Sequence, residues 1–407
     1  MVSDYLHKLQ IVLCVFSVFA ISSCLFPTGV TTTSFWLAII LGFGFAVSQS
    51  HRGPVHDSEP YAIYFGYGLI CYLALVSIAH GVDIHSLVTS LFEYRILFLI
   101  PLVGSLLLQT ERTRNLCLVA FFLGALIALA ASYLIYFDIL NFEDGRRSLA
   151  NRIFHGFLMM SLFIFVAGLR STQKYAVVVF GLLLAMIVYN VLAVETGRSA
   201  YICQVIVGLY FLTCKFKSWV LRVIGLVLGV VLVILIGIVE PGFVSSLESS
   251  ASSIASAIFE NSYSKSAGLR AEYYRGGFHL WNDSPIFGVG IANIDGALSQ
   301  LHADGIIRVL TDNLHSEYLT MLVGGGVFGL GLYCLFLASF FKFFQGELLV
   351  NLTCTLSLDI KFVGRGIILV IAIFSLFNST FKDFGEKQLM FFILPFLLCA
   401  SKQKGRY

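Results

Sequence analysis

The sequence predicts an all-α protein that crosses a membrane about twelve times. Three observations lead there. Hydrophobic residues fill 58% of the 407 positions and charged residues only 12%, against about 45–50% and about 25% in soluble chains. Apolar runs near twenty residues long recur throughout, each enough to cross a hydrocarbon core about 30 Å thick as a helix. The runs are continuous, whereas a β-barrel shows alternating segments of about ten residues, so a barrel is excluded.

The runs fall at 9–26, 33–49, 61–80, 95–109, 116–137, 153–169, 175–194, 199–214, 220–239, 318–341, 364–381 and 388–401. The first follows Lys8 and ends in Ala20-Ile21-Ser22-Ser23, which has the outline of a signal peptide. With so many further spans, a retained first helix is the simpler expectation. The fourth, eighth and twelfth are short and are expected to tilt little or to be partly re-entrant. Three parts result: helices 1–9 in residues 1–239, a polar loop at 240–317, and helices 10–12 with a C-terminal tail in 318–407.

Lysine and arginine set the orientation. With the N-terminus cytoplasmic, the cytoplasmic connections carry 15 basic and 6 acidic residues, and the outer ones 11 basic and 17 acidic. Both termini are therefore expected in the cytoplasm and the long loop outside. A connection of that length is usually functional or disordered. It begins serine-rich, from Ser245 to Ser256. In the stretch that follows, Leu269, Tyr273, Leu280 and Trp281 share one face of an amphipathic helix, which Asn282-Asp283-Ser284-Pro285 ends in a turn. Ile286-Phe287-Gly288-Val289-Gly290 follows as a compact loop. The aromatic residues argue for order.

Nine scattered cysteines without a C-x-x-C, and histidines without paired spacing, give no support to a disulfide framework or a metal site. A Gly-x-x-x-x-Gly-Lys loop and a basic tract are both missing from the sequence, which argues against nucleotide hydrolysis and nucleic-acid binding.

Four outer-face positions can carry chemistry. Arg198, in Glu195-Thr196-Gly197-Arg198-Ser199-Ala200, sits at the membrane edge; such an arginine pairs, faces a wet cavity, or anchors at the interface. Arg270 opens the amphipathic helix, and its planar fork suits phosphate oxygens, although a solvated surface arginine is the plainer reading. Arg146-Arg147 is a basic pair that the adjacent Glu143 and Asp144 can neutralise. His315 stands in Asp312-Asn313-Leu314-His315-Ser316-Glu317, immediately before the tenth run. There the positive end of the helix dipole favours neutral imidazole, the form a general base needs; capping or anchoring the helix is the alternative.

The chain resembles the O-antigen ligases, within the superfamily of O-antigen ligases and polymerases. The resemblance rests on His315-Ser316, nine residues, then Gly326-Val327-Phe328-Gly329. It is extended by Thr196-Gly197-Arg198-Ser199, by Leu269-Arg270 leading to Pro285-Ile286-Phe287-Gly288-Val289-Gly290, and by Asn378-Ser379-Thr380-Phe381-Lys382-Asp383. The resemblance implies a GT-C-like, inverting, metal-independent glycosyltransferase of the bacterial inner membrane, without cofactor and with its active site facing the periplasm. It implies transfer of a glycan from undecaprenyl diphosphate to a sugar hydroxyl of lipid A–core, with membrane lipid around it. Arg198 and Arg270 would grip the donor diphosphate and His315 would serve the acceptor. Arg147 carries over only loosely. The glycine run after His315 is expected to permit close helix approach beneath the site. Related polymerases, protein O-oligosaccharyltransferases and, from another class, a lipid-linked glycan transporter are the rival readings; oligomeric state is not legible.

Overall fold

A computed structural model describes residues 2–48, 61–108, 110–141, 149, 151–194, 197–240, 244–245, 248–249, 251–253, 255–256, 266–345 and 349–401. Its first ten helices are α1 (Val2–Ser23), α2 (Thr28–Ser48), α3 (Tyr61–Ala79), α4 (Ile84–Glu93), α5 (Ile96–Leu107), α6 (Glu111–Tyr136), α7 (Arg152–Gly168), α8 (Lys174–Tyr189), α9 (Arg198–Lys215) and α10 (Trp219–Val239). The polar loop holds α11 (Ser266–Asp283) and α12 (Ile294–Ala303), and three helices follow: α13 (Glu317–Phe343), α14 (Ile360–Phe377) and α15 (Phe384–Ser401).

Each apolar run lies mostly within one of these helices. Seven described helices are long and apolar enough to cross a membrane, so the chain is a multi-pass helical membrane protein. Two helices show how lipid replaces water as the outer solvent. α7 is apolar all round and buried along nearly its whole length, with Phe157, Leu158, Met160 and Ile164 inaccessible; it is the centre of the bundle. α10 is equally apolar, yet only Ile236 is buried. An all-apolar helix that the protein does not cover belongs against acyl chains.

Polar residues start the helices where the apolar runs do not. Asp83 caps α4 by accepting from the Ser86 N–H at 3.0 Å, Thr110 caps α6, and Asp359 caps α14. The Asp359 cap puts the start of α14 at Ile360, upstream of the run at 364–381, because Lys361 interrupts the apolar pattern without breaking the helix.

The structure adds two elements to the all-α expectation. α4 is a short amphipathic helix in what reads as a simple connection. A small antiparallel sheet, ordered β1-β3-β2, joins Leu169–Ser171 (β1), Leu349–Asn351 (β2) and Leu356–Asp359 (β3), with Leu169 opposite Leu358 and Val350 opposite Leu358. Strands of three or four residues are too short for a period-two pattern to register in sequence. The amphipathic helix and turn expected in the outer loop correspond to α11 and Ser284–Gly290. Residues 246, 247, 250 and 254 of the serine-rich lead-in, and 257–265 after it, lie outside the described residues.

Candidate functional site

The site is organised around an interruption of α13. Helical geometry fails at Gly326, which takes φ 62° and ψ −161°, a region only glycine occupies readily. The break leaves the Val323 and Gly324 carbonyls without their intrahelical partners. The loop after α11 supplies replacements: the Val289 N–H donates to Val323 C=O at 2.9 Å and the Gly290 N–H to Gly324 C=O at 3.0 Å. In return the Val327 N–H donates to Pro285 C=O at 3.0 Å. A Cβ on Gly326 would stand 2.1 Å from the Ile286 carbonyl oxygen, and one on Gly288 2.5 Å from the Gly325 and Gly326 nitrogens. The glycines of both motifs are thus two halves of one joint. Gly325 and Gly329 face Tyr72 of α3, whose hydroxyl donates to Gly325 C=O at 2.9 Å. The expected close approach of a helix is present, and a loop inserted into the helix accompanies it.

His315 stands two residues before α13, on a left-handed backbone with φ 50°. Left-handed φ is uncommon for a residue with a Cβ. It is held there by Asn313, whose Oδ1 accepts from the His315 N–H at 2.8 Å and from the Ser379 hydroxyl. The helix cap is Ser316, which accepts from the Leu319 N–H at 3.3 Å. His315 therefore does not cap the helix.

The segment after α14 braces this turn. Asn378 C=O accepts from the Glu317 N–H at 3.2 Å, and Glu317 Oε2 accepts from the Phe381 N–H at 3.1 Å. Lys382 Nζ donates to Asp312 C=O at 3.2 Å and lies 3.6 Å from Glu93 Oε2. The polar motif at 378–383 is thus the wall behind His315.

Helix α11 forms the opposite wall. Gly276 and Gly277 bring it close against Ile307, Leu314 and Leu319, where a Cβ would stand 3.1 Å from Ile307 and 2.7 Å from Leu319 respectively. That approach stacks Tyr273 on His315, with ring centroids 5.4 Å apart and planes at 29°. Arg270 lies about one turn earlier on the same helix and within electrostatic reach of the imidazole. Burial first, then the positive charge of Arg270, hold the His315 pKa below its ordinary 6.5, with Asp312 opposing. His315 Nδ1 is buried without a hydrogen-bond partner among the described residues.

Arg198 is the first residue of α9. It follows the π-helical turn Asn190–Val194, a form frequent at functional sites. Within that turn Asn190 is buried and bonded to Ser132 and His155. Arg198 and Arg270 are close enough for each to feel the other's charge, and Arg198 Nη1 is buried without a hydrogen-bond partner among the described residues. Two like charges held together with an unused guanidinium N–H suit an anion with several oxygens.

The structure therefore places Arg270 within electrostatic reach of both His315 and Arg198. Arg147 lies outside the described residues, as do Glu195 and Thr196. Among the described residues, no group of three His, Cys, Asp or Glu side chains is placed to hold a metal ion. Sequence reasoning named Asn313, Ser379 and Tyr273 without giving them a part in holding His315. Asparagine two residues before a histidine on a polar turn is the one local signal for the first of these; the others come from distant parts of the chain.

A family model described as O-antigen ligase matches residues 190–334, a span that contains Arg198, Arg270 and His315. No curated protein matches the chain.

Proposed function

We propose that this chain, which belongs to the superfamily of O-antigen ligases and polymerases, is a ligase. It moves a glycan from undecaprenyl diphosphate to a sugar hydroxyl of lipid A–core. It works in the bacterial inner membrane, crossing it twelve times with both termini cytoplasmic, and its site opens to the periplasm. The observation that supports this reading is a positionally locked histidine, its pKa lowered, within electrostatic reach of Arg270, which in turn feels the charge of Arg198.

The acceptor hydroxyl oxygen attacks the anomeric carbon from the face opposite the diphosphate and gives its proton to His315. The bond from that carbon to the diphosphate oxygen breaks with inversion, and undecaprenyl diphosphate leaves with the electron pair. Arg198 and Arg270 meet the charge that grows on the leaving oxygens. A preorganised donor of this kind contributes about 2.7–4 kcal/mol. The donor is already activated, so the reaction draws on no nucleotide.

Two outcomes follow. Arg198→Lys and Arg270→Lys should each lose most of the transfer rate, because a point charge does not reproduce a bidentate fork; full activity in either, in a transfer assay, would remove diphosphate gripping from the scheme. The second concerns pH. Since the His315 pKa is lowered from 6.5, its neutral form persists on acidification to that value. The acidic limb of kcat/KM should therefore lie below pH 6.5, and a half-maximal point at or above it would exclude His315 as the base.

The reading itself is tested by supplying purified lipid-linked glycan with lipid A–core, without metal or nucleotide. Transfer to lipid A–core supports the ligase. Chain extension on a second lipid-linked repeat unit instead would make the protein a polymerase.

A further inference from the structure

A second cationic centre lies at the other end of the helix that begins with Arg198. α9 has 18 residues, hence a length of about 27 Å at 1.5 Å per residue. This is close to the thickness of a hydrocarbon core, about 30 Å. Lys215, in the last turn of α9, therefore stands about 25 Å along the helix axis from Arg198. Exposed Tyr175 and Trp219, at the starts of α8 and α10, flank the same end of the bundle, as aromatic residues do at a membrane interface.

Two cations face one carboxylate there, and a third lies nearby. Asp359 Oδ2 is bound to Arg170, and its Oδ1 accepts from the Phe362 N–H at 3.0 Å as the cap of α14. Both oxygens are thus engaged. Lys215 feels Asp359 and Arg170 electrostatically, and Arg365 reaches the same cluster through Tyr210. Neither Lys215 nor Arg365 has a carboxylate partner among the described residues.

These two cations are also held in place. Lys215 Nζ lies 4.3 Å from the centre of the Phe362 ring, and Arg365 Cζ 5.0 Å from that of Phe341. Arg365 Nε is buried without a hydrogen-bond partner among the described residues. Tyr210 stacks on Phe362 at 5.1 Å and donates its hydroxyl to the Phe362 carbonyl, fixing the shelf beneath Lys215. Cations that merely snorkel extend freely into water; these are seated on aromatic faces, with an inward guanidinium N–H left to donate.

We propose that Lys215 and Arg365, beside the Arg170–Asp359 pair, bind the phosphate of an anionic glycerophospholipid in the leaflet opposite His315. The fork of Arg365 meets phosphate oxygens and Lys215 adds a point charge. The lipid's acyl chains lie along apolar helix surface on the lipid-facing side. The site is independent of glycan transfer, because its phosphate sits a membrane thickness away from Arg198.

The test uses the full chain in neutral detergent, with phosphatidylglycerol or phosphatidylcholine added at equal total lipid. Bound lipid is read by native mass spectrometry and Tm by intrinsic fluorescence. Phosphatidylglycerol should be retained and should raise Tm, and phosphatidylcholine should do neither. The double variant Lys215→Gln/Arg365→Gln should weaken phosphatidylglycerol binding about 30-fold, the loss of two near-surface charges. The exposed neighbour variant Lys217→Gln should bind as wild type. Equal retention of the two lipids by the wild-type protein would overturn the site, whatever the fate of the variants. So would undiminished binding in the double variant, or a Tm rise reproduced by inorganic phosphate alone.

Discussion

His315→Ala should lose transfer almost completely, by about 10²–10⁴-fold, the range that a positioned general base supplies. Folding and membrane insertion should survive, because the imidazole does not hold the turn together. Asn313 binds the backbone N–H of residue 315, Ser316 caps α13, and Glu317 ties the helix to the segment at 378–383. Alanine removes the ring and leaves all three in place. The Tyr273 ring loses its stacking partner, a modest cost beside the chemistry. Lipopolysaccharide capping in cells, together with purified transfer, measures the effect; normal capping would end the general-base assignment.

Gly326→Ala should be damaging for a different reason. Its Cβ would stand 2.1 Å from the Ile286 carbonyl oxygen, on a backbone at φ 62° and ψ −161°. Holding a residue other than glycine in such a conformation costs about 1–3 kcal/mol before any clash is counted. The loop is backbone at that point, so it cannot relieve the contact by a rotamer change. The chain should either restore a continuous helix and expel Pro285–Gly290, or unfold at lower temperature. Both outcomes displace α11, and Arg270 and Tyr273 with it. Gly331→Ala is the control, since nothing lies within 4 Å of a Cβ there. Thermal unfolding in detergent and transfer rate, read together, should separate the two variants. Equal behaviour would mean that the joint at Gly326 is not what positions the site.

Much of this architecture was legible because lipid imposes a simple rule. A segment that crosses hydrocarbon must satisfy its backbone internally, so apolar length alone locates the helices. The three candidate residues were legible too, Arg198 and His315 as polar groups at the edges of apolar runs and Arg270 near the start of an amphipathic helix. Their convergence was not. Asn313 and Ser379 are 66 residues apart, and neither lies in a periodic pattern that would announce the other. The glycine motifs pointed to close approach, but the sequence did not distinguish a packed helix from a loop threaded into a broken one. The sheet and α4 escaped because strands of three or four residues and a ten-residue amphipathic helix fall below the length at which periodicity speaks.

The joint between α13 and the Pro285–Gly290 loop also sets an order of assembly. Until that loop arrives, the Val323 and Gly324 carbonyls have only their own helix to bond with, and hydrocarbon penalises leaving them bare by several kcal/mol each. Without that loop α13 is therefore expected to form an unbroken helix, which docking of the loop interrupts. His315 reaches its final setting only when two segments made at different times meet. Under the proposed function, the setting of His315 is complete only once that loop has docked.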